Sequence, residues 1–442
     1  MVVTKEKKVL RQLCDITSSK RIYAADYQPQ GVPFYRGKEI IEKHKGNTEV
    51  STELFITRSK FLEIKRKFGA PIPGDLLLTS VGTLGVPYIV RPGEEFYFKD
   101  GNVIWLRHFR DLDSRFLYYW LLSPQGTAEL KKCTIGSSQS AFTIVLLKEM
   151  EIQLPALPVQ RKIAAILSAY DDLIENNLRR IKILEGMAQN LYREWFVKFR
   201  FPGHENARFV DAPLGRIPEG WELRPLASLL IGHIGGGWGK DIEEERHTER
   251  AWVIRGTDIP SARYCDFSKV PYRYHTASNL RSRRLKPGDI VFEVSGGSKG
   301  QPLGRALYVS AELLAAFGGD SVICASFCKR IQPDTEKYAS ELLYLSFLEA
   351  YESGEIEQFQ VQSTGISNFK WSDYISQVNR CVPPIALQEH FRDLVAPLFL
   401  EISTLGHKNT TLRRTHDLLL PKLISGELDV SELDINIGEE PA

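Results

Sequence analysis

Nucleophilic, metal and phosphate chemistry each need particular residue types at particular spacings, and this chain offers few. IGGGWGKD (234–241) approaches a phosphate-binding loop, in which backbone N–H groups cradle phosphate. That loop needs GxxxxGK followed by Ser or Thr. Here Ile234 stands where the first glycine should be and Asp241 follows the lysine, so the stretch reads as a flexible loop. No HExxH and no paired CxxC occurs. Cys324 and Cys328 sit inside an apolar run, VICASFC, which reads as a buried strand. Glu63-Ile64-Lys65 and Glu336-Lys337 resemble the carboxylate–lysine pairs of metal nucleases, but such pairs are common on any solvated face. The nine histidines form no cluster. No catalytic and no metal-ligating residue is assigned.

What remains is basic and polar material on turns. Arg281, Arg283, Arg284 and Lys286 precede a Pro-Gly-Asp turn, with Lys299 and Arg305 in or beside the glycine-rich segment after it. In the first half Arg58, Lys60, Lys65, Arg66 and Lys67 occupy the equivalent place before Pro73-Gly74-Asp75. Arg and Lys neutralise phosphates, while Arg, Gln, Ser and Thr on loops can read base edges. The candidate DNA contacts therefore also include Arg36, Lys38, Thr79, Ser80, Thr83, Ser137, Ser138 and Gln139 in the first half. In the second they include Arg255, Thr257, Ser295 and Gln301. Arg36-Gly37 and Arg255-Gly256 also admit a structural role, glycine for a tight turn and arginine for a local hydrogen bond.

The elements that must position these groups are written twice. VPFYRGKEI (32–40) answers AWVIRGTDI (251–259), and PIPGDLLLTSVGTLGVPYIV (71–90) answers LKPGDIVFEVSGGSKGQPLGRALYV (285–309). GSSQSAFTIVLLKEMEIQLP (136–155) answers STGISNFKWSDYISQVNRCVP (363–383), and each half then runs into a long helical pattern opened by proline. Four landmarks in one order indicate duplicated domains. In the first helix Ile163, Ile166, Leu167, Tyr170, Leu173, Ile174, Ile181, Leu184, Leu191 and Trp195 recur at helical steps. In the second Phe391, Leu394, Val395, Leu398, Ile402, Leu405, Leu412, Leu419 and Leu423 do so. A shift of 228 places Pro155 on Pro383, Gln160 on Gln388 and Leu184 on Leu412 without a gap. An apolar stripe of about 60 Å needs a matching stripe, so the two helices should pack on each other as a coiled coil. Pro397 implies that the second helix bends or begins later. The expected fold is mixed α/β, with recognition domains at 1–155 and 221–383. Helices span 156–200 and 384–428, with a linker at 201–220 and an acidic tail at 429–442.

Composition narrows the setting. With 442 residues, 43% hydrophobic and 25% charged, disordered, collagen-like and pure coiled-coil chains are excluded. No apolar run approaches the roughly 18 residues of a membrane span, and the N-terminus lacks an apolar signal core. Six cysteines suit a reducing cytosol, so a cytoplasmic location is expected. The net charge of +2 conceals +9 over residues 1–203 and −7 over 204–442. Two similar but non-identical domains would read two different DNA half-sites, with the helices fixing their separation.

PALPVQRKIAAILSAYDDLIENN, NLYREWFVKFRFPGHE, LGRIPEGWEL and DLLLPKLISGELDV resemble the specificity subunit of type I restriction-modification systems, over essentially the whole chain. The resemblance implies two target-recognition domains separated by two helices in an antiparallel coiled coil. The helices would contact each other and the methylation subunits. It further implies a non-catalytic reader of double-stranded DNA that binds two methyltransferase subunits and restriction subunits. S-adenosylmethionine, ATP and Mg would belong to those partners. The rivals are a self-contained nuclease or methyltransferase centred on Glu63 and Lys65, and a coiled-coil scaffold for proteins alone.

Overall fold

The computed structural model describes residues 5–46, 50–136, 140–213, 215–296, 302–362 and 366–437. The chain forms two compact units that cut across its linear order: Met1–Glu175 with Leu412–Ala442, and Asn176–Thr411. Each contains one α/β domain and a portion of both long helices.

In the first unit an antiparallel sheet runs in the order Asp15–Thr17, Val103–Arg107, Leu76–Thr79, Pro87–Ile89. The apolar run Leu76-Leu77-Leu78 is no more than 1% exposed because both faces of this strand are covered. Leu76 and Leu78 pack with Phe116, Leu117 and Trp120 of the helix Ser114–Leu122, whereas Leu77 points to the opposite cluster of Tyr35, Ile40 and Phe98. A second sheet joins Tyr27–Gln28, Phe55–Ile56, Val32–Tyr35 and Tyr97–Phe98, the last pair parallel. Finally, Glu6–Val9 pairs with Glu151–Leu154, so the domain's first and last strands lie side by side.

The second unit repeats this connectivity. Its four-stranded sheet runs Leu230–Gly235, Cys328–Pro333, Ile290–Glu293, Ala306–Tyr308, again first, last, second and third in chain order. Ile290 and Phe292 face one core and Val291 the other. Tyr272–His275, Glu249–Ile254 and Ser321–Cys324 form the second sheet, with its last pair parallel, and Glu222–Pro225 pairs with Asn379–Val382. The Pro-Gly-Asp turns match in detail. Gly74 and Gly288 adopt φ of +88° and +89°, the left-handed region that glycine enters without a Cβ clash. The buried Asp75 accepts from the Ile72 N–H at 3.0 Å and Trp105 Nε1 at 2.8 Å. Asp289 accepts from the Lys286 N–H at 2.6 Å and Arg330 Nε at 2.7 Å. Burial pushes both carboxyls up from the usual range, and these donors oppose it.

The long helices are Leu157–Tyr192, continued by a π-helical turn Arg193–Val197, and Ile385–Ser425. Within the first unit Ile163, Ala164 and Leu167 share a core with Leu420, Leu423 and Ile424. Within the second, Ile181 meets Ile402 and Leu405, and the rings of Trp195 and Phe196 lie 5.6 and 4.8 Å from that of Phe391. Rising numbers on one helix face falling numbers on the other, so the pair is antiparallel. Asn177 Nδ2 donates to Asn409 Oδ1 at 2.8 Å inside the seam.

Of the expected interface, Ile166 and Leu419 line the first unit's core, and Leu184, Leu191 and Leu398 line the second's, while Tyr170, Ile174 and Leu412 are half-buried. Leu394 is a correction: it is 42% exposed, and its neighbour Val395 takes the buried place. Adjacent helical residues point about 100° apart, so only one of the two can enter a narrow seam. Leu173 is exposed too, whereas Ala164, Ala188 and Asn409 are fully buried. Pro397 does not delay the second helix, which begins at Ile385 and also contains Pro421. Pro397 stands on the exposed side.

Two glycines on these helices give opposite expectations. A Cβ on Gly406 would lie 2.7 Å from Cys265 Sγ, and the turn it touches is held by Thr410 Oγ1 donating to the Cys265 carbonyl at 3.0 Å. A Cβ on Gly186 would meet nothing within 4 Å. Gly406→Ala should destabilise the protein by about 1–3 kcal/mol through overpacking. Gly186→Ala should stabilise it by about 0.5–1 kcal/mol through helix propensity. Urea unfolding of the two variants beside the parent measures both signs.

Candidate nucleic-acid interface

Thr57 and Thr276 each cap a short helix, accepting from the backbone N–H of Lys60 and of Asn279, both at 3.2 Å. The helices are Arg58–Phe68 and Ala277–Arg283, and each follows a strand of the second sheet and precedes the Pro-Gly-Asp turn. In the first, Phe61 and Ile64 are buried and anchor the helix, which leaves its basic residues outward. Arg58 pairs with Glu95, Lys60 with Asp26 at 3.6 Å, and Lys67 with Glu63 at 2.9 Å. Lys65 lies 5.8 Å from the Phe61 ring, and neither it nor Arg66 makes an ion pair among the described residues. In the second helix Leu280 is the anchor and Arg281 is exposed, without an ion pair among the described residues.

Arg283 and Arg284 are tied down: Arg283 Nε donates to the Gly235 carbonyl at 2.9 Å, and Arg284 Nε to Ser321 Oγ at 3.0 Å. Lys286 and Thr83 are exposed outside helices and strands, whereas Lys38 is exposed on the helix Gly37–His44 and Thr257 on the 3-10 turn Gly256–Asp258, a correction to their expected place on loops. Ser295 is half-buried and donates to Asn368 Oδ1 at 2.6 Å. Ser137, Ser138, Gln139, Lys299 and Gln301 lie outside the described residues.

Several candidates are placed inside the domains. Thr79 is fully buried, donating to the Thr83 carbonyl at 2.6 Å and accepting from the Val86 N–H at 2.9 Å. Ser80 is buried and donates to the Gly101 carbonyl at 3.1 Å. Thr79 closes the glycine-rich turn from within, and Ser80 ties its start to the turn before Val103–Arg107, because buried backbone groups there need side-chain partners. Arg305 is paired with the buried Glu293, Nε to Oε2 at 2.8 Å. The two Arg-Gly strings form matching caps. The Arg36 N–H and guanidinium both donate to Glu39, and burial of that carboxylate is outweighed by these bonds, which hold it below its usual range. The Arg255 N–H and guanidinium donate likewise to Asp258, at 2.9 and 2.8 Å, and Nη2 reaches the Lys269 carbonyl at 2.7 Å. A Cβ on Gly256 would lie 2.4 Å from Glu293 Oε1. In this arrangement the guanidiniums are engaged locally rather than directed outward.

The glycine loop at 235–239 is packed rather than loose. A Cβ on Gly236 would lie 2.1 Å from the Cys324 carbonyl oxygen, and one on Gly239 2.5 Å from that of Tyr274. The loop presents Trp238, with the Arg273 guanidinium 4.2 Å from its ring. Next to it the guanidinium of Arg250 lies 5.0 Å from the Tyr274 ring and donates to its hydroxyl at 2.8 Å. Sequence reading passed over this aromatic–arginine surface, although the alternation Tyr272-Arg273-Tyr274-His275 is the signal for it. Glu243, Glu244 and Glu245 beside it make it poorly suited to phosphate. His275 beneath is buried, and burial followed by the charge of Arg273 lowers its pKa.

Other chemistry is placed plainly. Glu63 bonds Lys67 one turn along an exposed helix surface. Cys324 and Cys328 are fully buried, and burial pushes the Cys324 thiol up to about 12. Among the described residues no group of three or more His, Cys, Asp or Glu is arranged to hold a metal ion, and no helix is long and apolar enough to cross a membrane.

The family described as "Type I restriction modification DNA specificity domain" matches residues 3–185. The type I restriction enzyme MjaIX specificity subunit of Methanocaldococcus jannaschii is 29% identical over 375 residues, covering 81% of this chain and 79% of that one. The HindI specificity subunit of Haemophilus influenzae is 22% identical over 376 residues, covering 71% and 77%. The crystal structure of the S subunit of a type I restriction-modification system from M. genitalium has a TM-score of 0.57 at 14% identity and covers 95% and 96% of the two chains, a likeness of fold. Residues 3–185 thus match the type I restriction modification DNA specificity domain, and over most of its length the chain is similar to the specificity subunits of type I restriction enzymes, with a like fold built as one domain used twice.

Proposed function

We propose that the chain reads a bipartite, asymmetric DNA site, with the domain at 1–155 on one half-site and that at 221–383 on the other. The observation that carries this reading is one fold used twice, with a Thr-capped basic helix at the same place in each copy but different residues on it. A common scaffold with unlike contact residues suits two unlike sequences. We assign Lys65, Arg66 and Arg281 to phosphates, since they are exposed and make no ion pair among the described residues, and Thr83 and Thr257, exposed just past the ends of strands, to base edges. The chain performs no chemistry itself. It acts in the cytoplasm, positioning two methyltransferase subunits, which bring S-adenosylmethionine, and restriction subunits, which bring ATP and Mg.

The test is to assemble the chain with its methyltransferase subunits and map methylated bases in genomic DNA. One motif of two unlike half-sites at a fixed spacing is expected. Cleavage or methylation by the chain alone would instead favour a self-contained enzyme. Each phosphate contact removed lowers the slope of log affinity against log salt by about 0.9. A Lys65→Ala/Arg66→Ala complex should therefore lose about 2 from that slope and Arg281→Ala about 1, with half-site preference kept; unchanged slopes in filter binding would return these residues to an ordinary solvated face. Inserting one turn into both long helices should alter the spacer in the methylation map and leave the half-sites as they were.

A further inference from the structure

Gln160 and Gln388, which coincide under the 228-residue shift, make the same three hydrogen bonds in their respective units. Gln160 Oε1 accepts from the Asp113 N–H at 3.0 Å, and its Nε2 donates to the carbonyls of Asp111 at 3.1 Å and Pro155 at 2.9 Å. Gln388 Oε1 accepts from the Ala339 N–H at 2.9 Å, and its Nε2 donates to the carbonyls of Lys337 at 3.0 Å and Pro383 at 2.9 Å. The two side chains are 1% and 2% exposed. Asp113 and Ala339 are the N-caps of Ser114–Leu122 and Ser340–Glu352, the helices that pack on each domain's central sheet. Each glutamine thus ties the start of a long helix to the start of its domain's main helix, and both to the proline turn between them.

The remaining polar contacts between domain and long helix differ from one unit to the other. The first unit has Tyr119 to Asp171 at 2.7 Å and Arg91 to Glu175 at 2.9 Å. The second has Arg193 to Glu349 at 2.5 Å and to Glu352, and Thr410 Oγ1 to the Cys265 carbonyl at 3.0 Å, the last with no counterpart in the first unit among these bonds. The charged pairs are partly solvated and individually weak. Apolar packing holds a domain on its helix but is non-directional. A buried amide bonded to three backbone groups is directional, since such bonds weaken steeply off-axis.

We infer that Gln160 and Gln388 are positioning residues that fix the angle of each recognition domain on its long helix, and through that angle the spacer length the complex accepts. This rests on the bipartite reading above. The test uses the complete complex with methyltransferase subunits and a DNA library in which half-site bases and spacer length vary independently. The wild-type complex must first show preference for two half-sites; if it shows none, the bipartite reading itself fails. Given that preference, Gln160→Met and Gln388→Met should keep the half-site bases. Their discrimination against spacers one base pair longer or shorter should fall by about two- to tenfold. Gln160→Glu and Gln388→Glu keep the acceptor and lose both donors, and should shift in the same direction; they carry the test if the Met variants do not assemble. Methylation reduced equally at every spacer, with spacer ranking unchanged, would overturn the inference and leave the glutamines a purely structural part. Failure of all four variants to assemble would do the same, since the bonds would then hold the fold together rather than set an angle.

Discussion

A long helix with a single apolar stripe cannot stand alone in water, and the organisation of this chain follows from how that stripe is covered. Each helix covers the other in antiparallel sense, so residues near one end of the first helix meet residues near the opposite end of the second. Ile163 and Leu167 lie with Leu420 and Leu423, while Ile181 lies with Ile402 and Leu405. A compact unit built this way must recruit chain from far apart in sequence. Hence the segment after Leu412 belongs with the first domain, and Lys5 Nζ donates to the carbonyl of Ile424 at 2.8 Å. The second unit is closed by continuous chain instead, through the linker hairpin Phe209–Ala212 with Gly215–Pro218.

Duplication was legible in the sequence because its landmarks are backbone requirements. Pro-Gly-Asp needs a left-handed glycine and an acceptor that closes the turn, and both copies supply them at Gly74-Asp75 and Gly288-Asp289. The long helices were legible from their period. Which residues enter the seam was less so, because apolar content does not separate Leu394 from Val395, and because Asn177, Asn409 and Ala188 carry no hydrophobic signal. The candidate contacts divided for a similar reason. Thr79, Ser80 and Arg305 are polar, and polarity alone suggests solvent, yet the turns they close contain buried backbone groups and a buried carboxylate that need partners. Sequence reading puts Lys65, Arg66 and Arg281 on turns, but they stand on the short helices Arg58–Phe68 and Ala277–Arg283, whose few apolar anchors are too sparse to show a helical period.

The two domains also show what duplication preserves. At the Pro-Gly-Asp turn the acceptor is the same but the donor is Trp105 in one copy and Arg330 in the other. At the end of the central strand Thr79 in one copy corresponds to Glu293 with Arg305 in the other. The hydrogen-bonding role persists while the residue filling it changes, because an unmade buried bond is expensive and many side chains can make it. The buried Arg330–Asp289 and Arg305–Glu293 pairs are poor evidence for extra stability, since desolvation offsets most of their attraction. Removing one partner would nevertheless leave a buried charge, so once present each pair is hard to lose singly.

This division between role and residue bears on how two copies of one fold can carry unlike surfaces. If the scaffold were held by contacts specific to particular side chains, changing a recognition surface would disturb the frame that aims it. Here the frame rests on backbone-directed bonds: the Asp75 and Asp289 turns, the Arg36–Glu39 and Arg255–Asp258 caps, and the Gln160 and Gln388 amides. Those partners are main-chain groups present whatever the neighbouring side chains become. Apart from Arg283, held to the Gly235 carbonyl, outer residues such as Lys65, Arg66 and Arg281 are bound by no such main-chain requirement among the described residues. Surface identity can therefore diverge between the copies while the backbone-directed bonds beneath each surface persist.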